Sequence, residues 1–284
     1  MTDQKKNSFK QKLELLRQKY QSKLPAEMAA LQVLAESLKH KEQVNERFSG
    51  MWFNPDESGH GLQFEVIFQD GQKLNVAWYA HKDGEPIWLT GTGMILGNRA
   101  FVDLSITDGT EFPENMNAQY WGTLRVTFDD LNHAQLKWET SFEGFESGAL
   151  AVERLTVMSE ATESDGQSNE FTACMSGSYY APSRSGEGLF IEVLGEPESR
   201  ALLTWYGYRG DKKFWITGTS NFNGDELYAE VYYTKGNDFS PNFDSNQVNT
   251  VVWGHLKVKR ATAGDADVVF GDLDVTLIPN FQHA

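Results

Sequence analysis

Cysteine is all but missing from this chain, and its other shortages narrow the chemistry further. Cys174 is the only cysteine in 284 residues, so no intramolecular disulfide can form. Its neighbours Thr172, Ala173 and Met175 supply no cation to stabilise a thiolate, and the residue reads as a small buried hydrophobe. Basic residues are also short, 25 against 40 acidic, for a formal net charge of −15. That balance lacks the positive footprint that nucleic-acid phosphates require. No run approaches the roughly 18 apolar residues of a membrane-spanning helix. The polar start Met1-Thr2-Asp3-Gln4-Lys5-Lys6 leads into no apolar stretch. The expectation is a cytoplasmic protein with no secretory signal and neither membrane nor nucleic acid as partner. His40, His60, His81, His133, His255 and His283 are scattered, without a His-x-x-x-His or Cys-x-x-Cys pair. There is no Gly-x-Ser-x-Gly elbow and no phosphate loop. The residues therefore imply no metal, no cofactor and no catalytic nucleophile.

What the chain does have is a stretch that occurs twice. Trp52 to Val66 returns as Tyr179 to Val193, an offset of 127 residues that aligns Pro55 with Pro182, Ser58-Gly59 with Ser185-Gly186, and Glu65-Val66 with Glu192-Val193. Trp78-Tyr79 returns as Trp205-Tyr206, Trp88 as Trp215, and Thr90-Gly91-Thr92 as Thr217-Gly218-Thr219. Trp121-Gly122 returns as Trp253-Gly254 at an offset of 132, which makes the preceding loop from Asn237 to Asn249 longer. Units of this size exceed a solenoid repeat, so each is expected to be a small domain.

From Gly50 onward, alternating apolar residues, aromatics and Asp-Gly or Gly-Asn turns spell β-structure. In the first unit, strands are expected near 50–54, 61–68, 73–81, 86–95, 99–107, 120–128, 134–141 and 148–157. Before Gly50 the period is helical: Leu13, Leu16, Tyr20 and Leu24, then Met28, Leu31, Leu34 and Leu38, with Pro25 suited to the first turn of a second helix. The expected fold class is mainly β: two tandem antiparallel up-and-down eight-stranded barrels preceded by an N-terminal α-helical hairpin. The domains fall at 1–47 (hairpin), 48–158 (first barrel), 159–172 (polar acidic linker) and 173–284 (second barrel). The leucine-rich hairpin would serve docking to a protein partner or a homodimer.

Three likenesses attach to these motifs. Gly50-Met51-Trp52 resembles the Gly-x-Trp of calycin barrels, the lipocalin and avidin-like proteins. The resemblance implies that Trp52 closes one barrel end and that Arg154 packs over it. Residues 16–38 are similar to the opening helices of histidine phosphotransfer domains, although His40 is followed by Lys41-Glu42-Gln43 where those domains carry His-x-x-Lys-Gly. The pattern Trp/Tyr-x-x-Pro-x-x-Ser-Gly-x-Gly resembles a tandem β-repeat of uncharacterised bacterial proteins, which implies no activity.

The candidate site residues are Ser58, Glu65, Trp78, Trp88 and Thr90 with Ser185, Glu192, Trp205, Trp215 and Thr217. Ser58 and Ser185 sit in glycine turns that either bind a ligand through their backbone or only turn the chain. Glu65 and Glu192 lie opposite the Leu62, Phe64, Val66 and Leu189, Ile191, Val193 faces, and alternation alone does not say which face is interior. The tryptophans are core or stacking platforms for a flat or saccharide ligand, with Thr90 and Thr217 on the same face as Trp88 and Trp215. The reading is a non-catalytic ligand-binding or protein-interaction module. Its alternative is an enzyme acting on a small apolar or saccharide molecule through a barrel carboxylate.

Overall fold

In the computed structural model, the described residues run from 43 to 279, except 69, 111–114, 162–169, 182–183, 185, 196–199, 210–211, 237, 263–264 and 271–272. The strands of the first half are β1 (Gly50–Phe53), β2 (Gly61–Ile67), β3 (Lys73–Lys82), β4 (Glu85–Leu96), β5 (Arg99–Thr110), β6 (Asn115–Phe128), β7 (His133–Thr140) and β8 (Gly148–Arg154). All pair antiparallel with their neighbours, and β8 returns to β1 to close an eight-stranded barrel. A two-residue turn of Asp83 and Gly84 joins β3 to β4, and Asp70 and Gly71 lie in the five-residue link from β2 to β3; all four have positive φ, which suits the hairpin twist.

The second half contributes β9 (Gly177–Tyr180), β10 (Gly188–Val193), β11 (Arg200–Arg209), β12 (Lys212–Asn223), β13 (Glu226–Lys235) and β14 (Asn249–Thr262). These six strands hold its described core. The backbone pairing continues through β15 (Asp265–Phe270) and β16 (Leu273–Pro279) back to β9.

Burial patterns reveal how the halves meet. In β7, Ala134, Leu136 and Trp138 are buried while His133, Gln135 and Lys137 are exposed, the alternation of a strand with one wet face. β2 is buried at every residue and β3 at all but its ends. Leu62, Phe64, Val66, Leu74, Val76 and Trp78 fill the barrel. The opposite faces of these strands, with Ala77 and Tyr79, pack on the second half. Residues 43–284 accordingly form one compact unit, apart from residues 1–42.

The expected architecture of two like barrels behind an α-helical hairpin is corrected. Among the described residues there is no α-helix, only single 3-10 turns such as Glu46–Phe48. The hairpin expectation lies almost wholly in residues 1–42, outside the described residues. The two sheets are also unequal: a complete eight-stranded barrel stands beside a separate sheet whose six strands β9–β14 carry the described core. The repeated motif implies two equivalent units, but one face of β3 and β4 in the first half packs on the second half.

One end of the first barrel is closed by its own chain. Phe48, Trp52 and Phe64 each meet Phe128 edge to face, with Phe48 and Phe128 centred 5.0 Å apart; Trp52 and Phe64 are tilted to one another, and the Trp52 indole donates to Phe48 O at 3.2 Å. Arg154 pairs opposite Trp52 and donates to Ser49 O and Thr156 O. In the second half Tyr179 stands where Trp52 stood, and its hydroxyl donates to Met175 O at 2.8 Å.

Candidate functional site

The junction between the halves is built from repeated aromatics. Tyr79 lies 5.7 Å from Trp215, and Trp88 lies 5.5 Å from Tyr206. Both contacts join residues that the 127-residue offset relates, so the second is the first with the halves exchanged. Tyr79 and Tyr206 meet at 6.0 Å between them. The Trp215 indole donates to Ala80 O at 3.2 Å and the Tyr208 hydroxyl to Thr107 O at 3.0 Å. Trp88 and Trp215 are buried in this junction between the halves. Their neighbours Thr90 and Thr217 are half-buried beside this junction, and Thr217 donates to Leu203 O.

Glu65 and Glu192 are buried here as well, at 3% and 1% exposure. Glu65 accepts from Ser178 Oγ at 2.6 Å, from Ser178 N at 3.2 Å and from Asn75 Nδ2 at 3.1 Å. Thr92 in turn donates to Asn75. Glu192 accepts from Gln63 Nε2 and from Thr156 Oγ1, and the Met51 N–H donates to Thr156 Oγ1 at 2.7 Å. Met51 and Ser178 are themselves 127 residues apart, but the Ser178 N–H reaches Glu65 directly while the Met51 N–H reaches Glu192 through the Thr156 hydroxyl. Burial pushes the Glu192 carboxyl above the usual carboxylate range, while the Thr156 and Gln63 hydrogen bonds and the Arg154 charge oppose the rise. These carboxylates are engaged as acceptors from several sides. They hold the halves together.

The far end of the first barrel is filled from outside. Trp78, Trp121 and Trp138 converge there with Phe145, and among them sits Phe239 from the β13–β14 loop of the second half. Its ring lies 4.8 Å from Trp78, 5.6 Å from Trp121, 6.0 Å from Trp138 and 5.4 Å from Phe145, with 3% of its surface exposed. Trp138 donates to Glu146 O at 2.7 Å. The indole nitrogens of Trp78 and Trp121 are buried without a hydrogen-bond partner among the described residues.

The loop that carries Phe239 is fastened along the rim of the barrel. Lys82 Nζ reaches Asp238 at 2.9 Å, and Ser240 donates to Glu57. His60 Nε2 lies 2.9 Å from Glu57 Oε2, and the His60 ring stacks on Phe243 at 4.2 Å. Burial works against the Glu57 carboxylate, yet the His60 and Ser240 hydrogen bonds outweigh it and hold the group below its usual range. His81, fully buried, points Nε2 at Thr234 O at 3.0 Å and packs against Gly236, where a Cβ would come within 2.4 Å of its ring. Burial lowers the His81 pKa and the nearby His60 adds to the effect, against the Thr234 hydrogen bond. Ser58 ends the 3-10 turn before this rim, and at Gly59 (φ +119°) a Cβ would strike Val248 of the same loop. The glycine turn is a seat for protein.

The 127-residue offset carries Glu57 and His60 onto Arg184 and Glu187, which pair at 2.8 and 2.9 Å with the charges exchanged. Ser185, between them, lies outside the described residues. Trp205 belongs to the core of the second half. Ser240, Glu57 and His60 form a chain, but the serine donates to the carboxylate and not to the imidazole, so nothing there would activate it as a nucleophile. Among the described residues no group of three His, Cys, Asp or Glu side chains could hold a metal ion. No helix of the described residues is long and apolar enough to cross a membrane. Comparison with protein-family models, curated proteins and solved structures finds no match for this chain.

Phe239, Gln63, Ser178, Thr156 and the His60–His81 rim were not singled out from the sequence. The signal available for Phe239 was the change of offset from 127 to 132: the lengthened loop is polar but carries two phenylalanines, Phe239 and Phe243.

Proposed function

We propose that this chain is a non-catalytic binding protein in which the aromatic end of the first barrel receives a small molecule and the second half serves as platform and cover. The observation that carries the reading is the contrast between the two sets of candidate groups. Glu65 and Glu192 are occupied by donors from the opposite half, so neither is placed to act as acid or base. The Trp78 and Trp121 indoles stand together with donors to spare. Clefts lined by aromatics with a few convergent polar groups are the common form of small-molecule sites. The single free cysteine, Cys174, suits a reducing cytoplasmic setting. Residues 1–42, on their leucine spacing, are the segment we assign to a protein partner or to self-association.

A thermal-shift screen of aromatic heterocycles and small saccharides against the intact chain tests the reading. Compounds that stabilise the protein and its Glu65→Gln variant alike, and are recovered chemically unchanged, support it. Turnover that disappears in Glu65→Gln would establish the enzyme in its place.

A further inference from the structure

The first barrel is stoppered by a residue that is not its own. Phe239 fills the space among Trp78, Trp121, Trp138 and Phe145, yet it belongs to a loop fastened to the rim by side chains: Asp238 to Lys82, Ser240 to Glu57, and Phe243 to His60. None of those contacts is part of a β-ladder of the first barrel, so the loop can lift away with the barrel's strand pairing intact. A phenyl ring also fits this place incompletely. It satisfies the apolar faces of the indoles and offers nothing to their N–H groups, and both the Trp78 and Trp121 nitrogens are buried without a partner among the described residues. A donor kept from water without an acceptor is costly, which makes the closed arrangement one that an acceptor can improve.

Resting on the binding reading above, we infer that the aromatic end of the first barrel takes a planar, uncharged ring compound bearing a carbonyl-type acceptor oxygen, and that Phe239 is its built-in competitor. A planar ring follows from the space that the Phe239 phenyl now fills, tilted against Trp78 and edge to face with Trp121. The acceptor follows from the two donors. Absence of charge follows from the lining, whose nearest ionised groups, Lys82 with Asp238 and Glu57, sit at the rim and are already paired. Affinity in the intact protein is reduced by the fraction of time the loop is seated, because only the open form can bind.

The experiment uses full-length protein and two probes of equal shape: coumarin, which carries the acceptor, and naphthalene, which does not. Binding is read by tryptophan fluorescence and calorimetry. Phe239→Ala should bind coumarin at least about tenfold more tightly than the unmodified chain, and about tenfold more tightly than it binds naphthalene. Adding Trp121→Phe to Phe239→Ala, which leaves only the Trp78 donor, should reduce the preference for coumarin while naphthalene binding persists. Ser240→Ala, which loosens the loop but keeps the phenyl ring, should show a smaller gain of the same sign. It also decides the question should Phe239→Ala fail to fold. A folded Phe239→Ala that binds coumarin no better than the unmodified chain overturns the competitor. Equal affinity for coumarin and naphthalene overturns the acceptor class and leaves binding in the barrel standing, whereas binding of neither probe by any folded variant ends both readings.

Discussion

The carboxylate of Glu65 in β2 accepts the hydroxyl of Ser178 in β9 at 2.6 Å, a hydrogen bond that crosses from one half of the molecule to the other. Asn75 and the Ser178 N–H complete its shell. Removing the carboxylate leaves three buried donors without an acceptor. Glu65→Ala should therefore cost about 3–5 kcal/mol in chemical denaturation, and Glu65→Gln, which keeps the shape and one acceptor oxygen, about 1–2 kcal/mol. An alanine variant as stable as the parent would show that the pair adds nothing to the union of the halves.

Phe239 and the junction aromatics make the first barrel dependent on the second half. Residues 43–158 expressed alone lose Phe239 from the Trp78–Trp121–Trp138 cluster and uncover Tyr79 and Trp88. That fragment should bind a hydrophobic dye and unfold at a lower temperature than the full chain. A peptide of residues 236–248 added in trans should raise its melting temperature. A fragment that melts cooperatively at the temperature of the intact protein would show the barrel to be self-sufficient.

Acid should weaken the loop's seat through His81. Its folded pKa lies below the ordinary histidine value because burial disfavours the imidazolium. As pH falls, the unfolded chain therefore takes up this proton first, and stability present above the ordinary histidine range is lost as pH drops through it. Glu57 contributes in the same direction but lower, since its depressed carboxyl gives up its stabilisation only as pH falls below the usual carboxylate range. Glu192 opposes both, for its raised carboxyl favours the folded state as acid is added. The readout is therefore the difference between the parent and His81→Gln. The parent should lose stability relative to the variant between about pH 7.5 and about pH 5. Parallel curves would exclude His81 as the titrating group.

The exchanged pair in the second half invites a double-mutant cycle. Arg184→Ala strands Glu187, buried and accepting the Tyr208 N–H, and should cost about 2 kcal/mol, below the value for a fully dry pair because Arg184 is a quarter exposed. Adding Glu187→Gln should recover roughly half of that. Strict additivity of the two changes would mean that the ions do not interact.

Much of the first barrel was legible because its signals are local. Asp70-Gly71 and Asp83-Gly84 marked hairpins and adopt the positive φ that such turns need. The alternation in Leu62, Phe64 and Val66 placed those residues on one face, and they line the interior. The roles of Glu65 and Trp88 were not legible. A period of two separates the faces of a strand without saying what covers each, and a polar residue facing solvent looks the same in sequence as one facing a donor more than a hundred residues away. Glu65 meets its partner 113 residues on and Gln63 meets its own 129 residues on. Trp88 and Thr90 shared a face as expected, but that face belongs to the junction. The repeat in sequence is thus written largely in the residues that join the halves.

The position of Phe239 has a consequence for how the molecule is made. The first barrel's last strand ends at Arg154, and its stopper lies 239 − 154 = 85 residues further along the chain. At the roughly 5–20 residues per second of protein synthesis, about 4–17 s pass between the synthesis of Arg154 and that of Phe239. During that interval the newborn chain presents three tryptophans and no cover. A small flat molecule present in the cell meets the barrel before its own loop does.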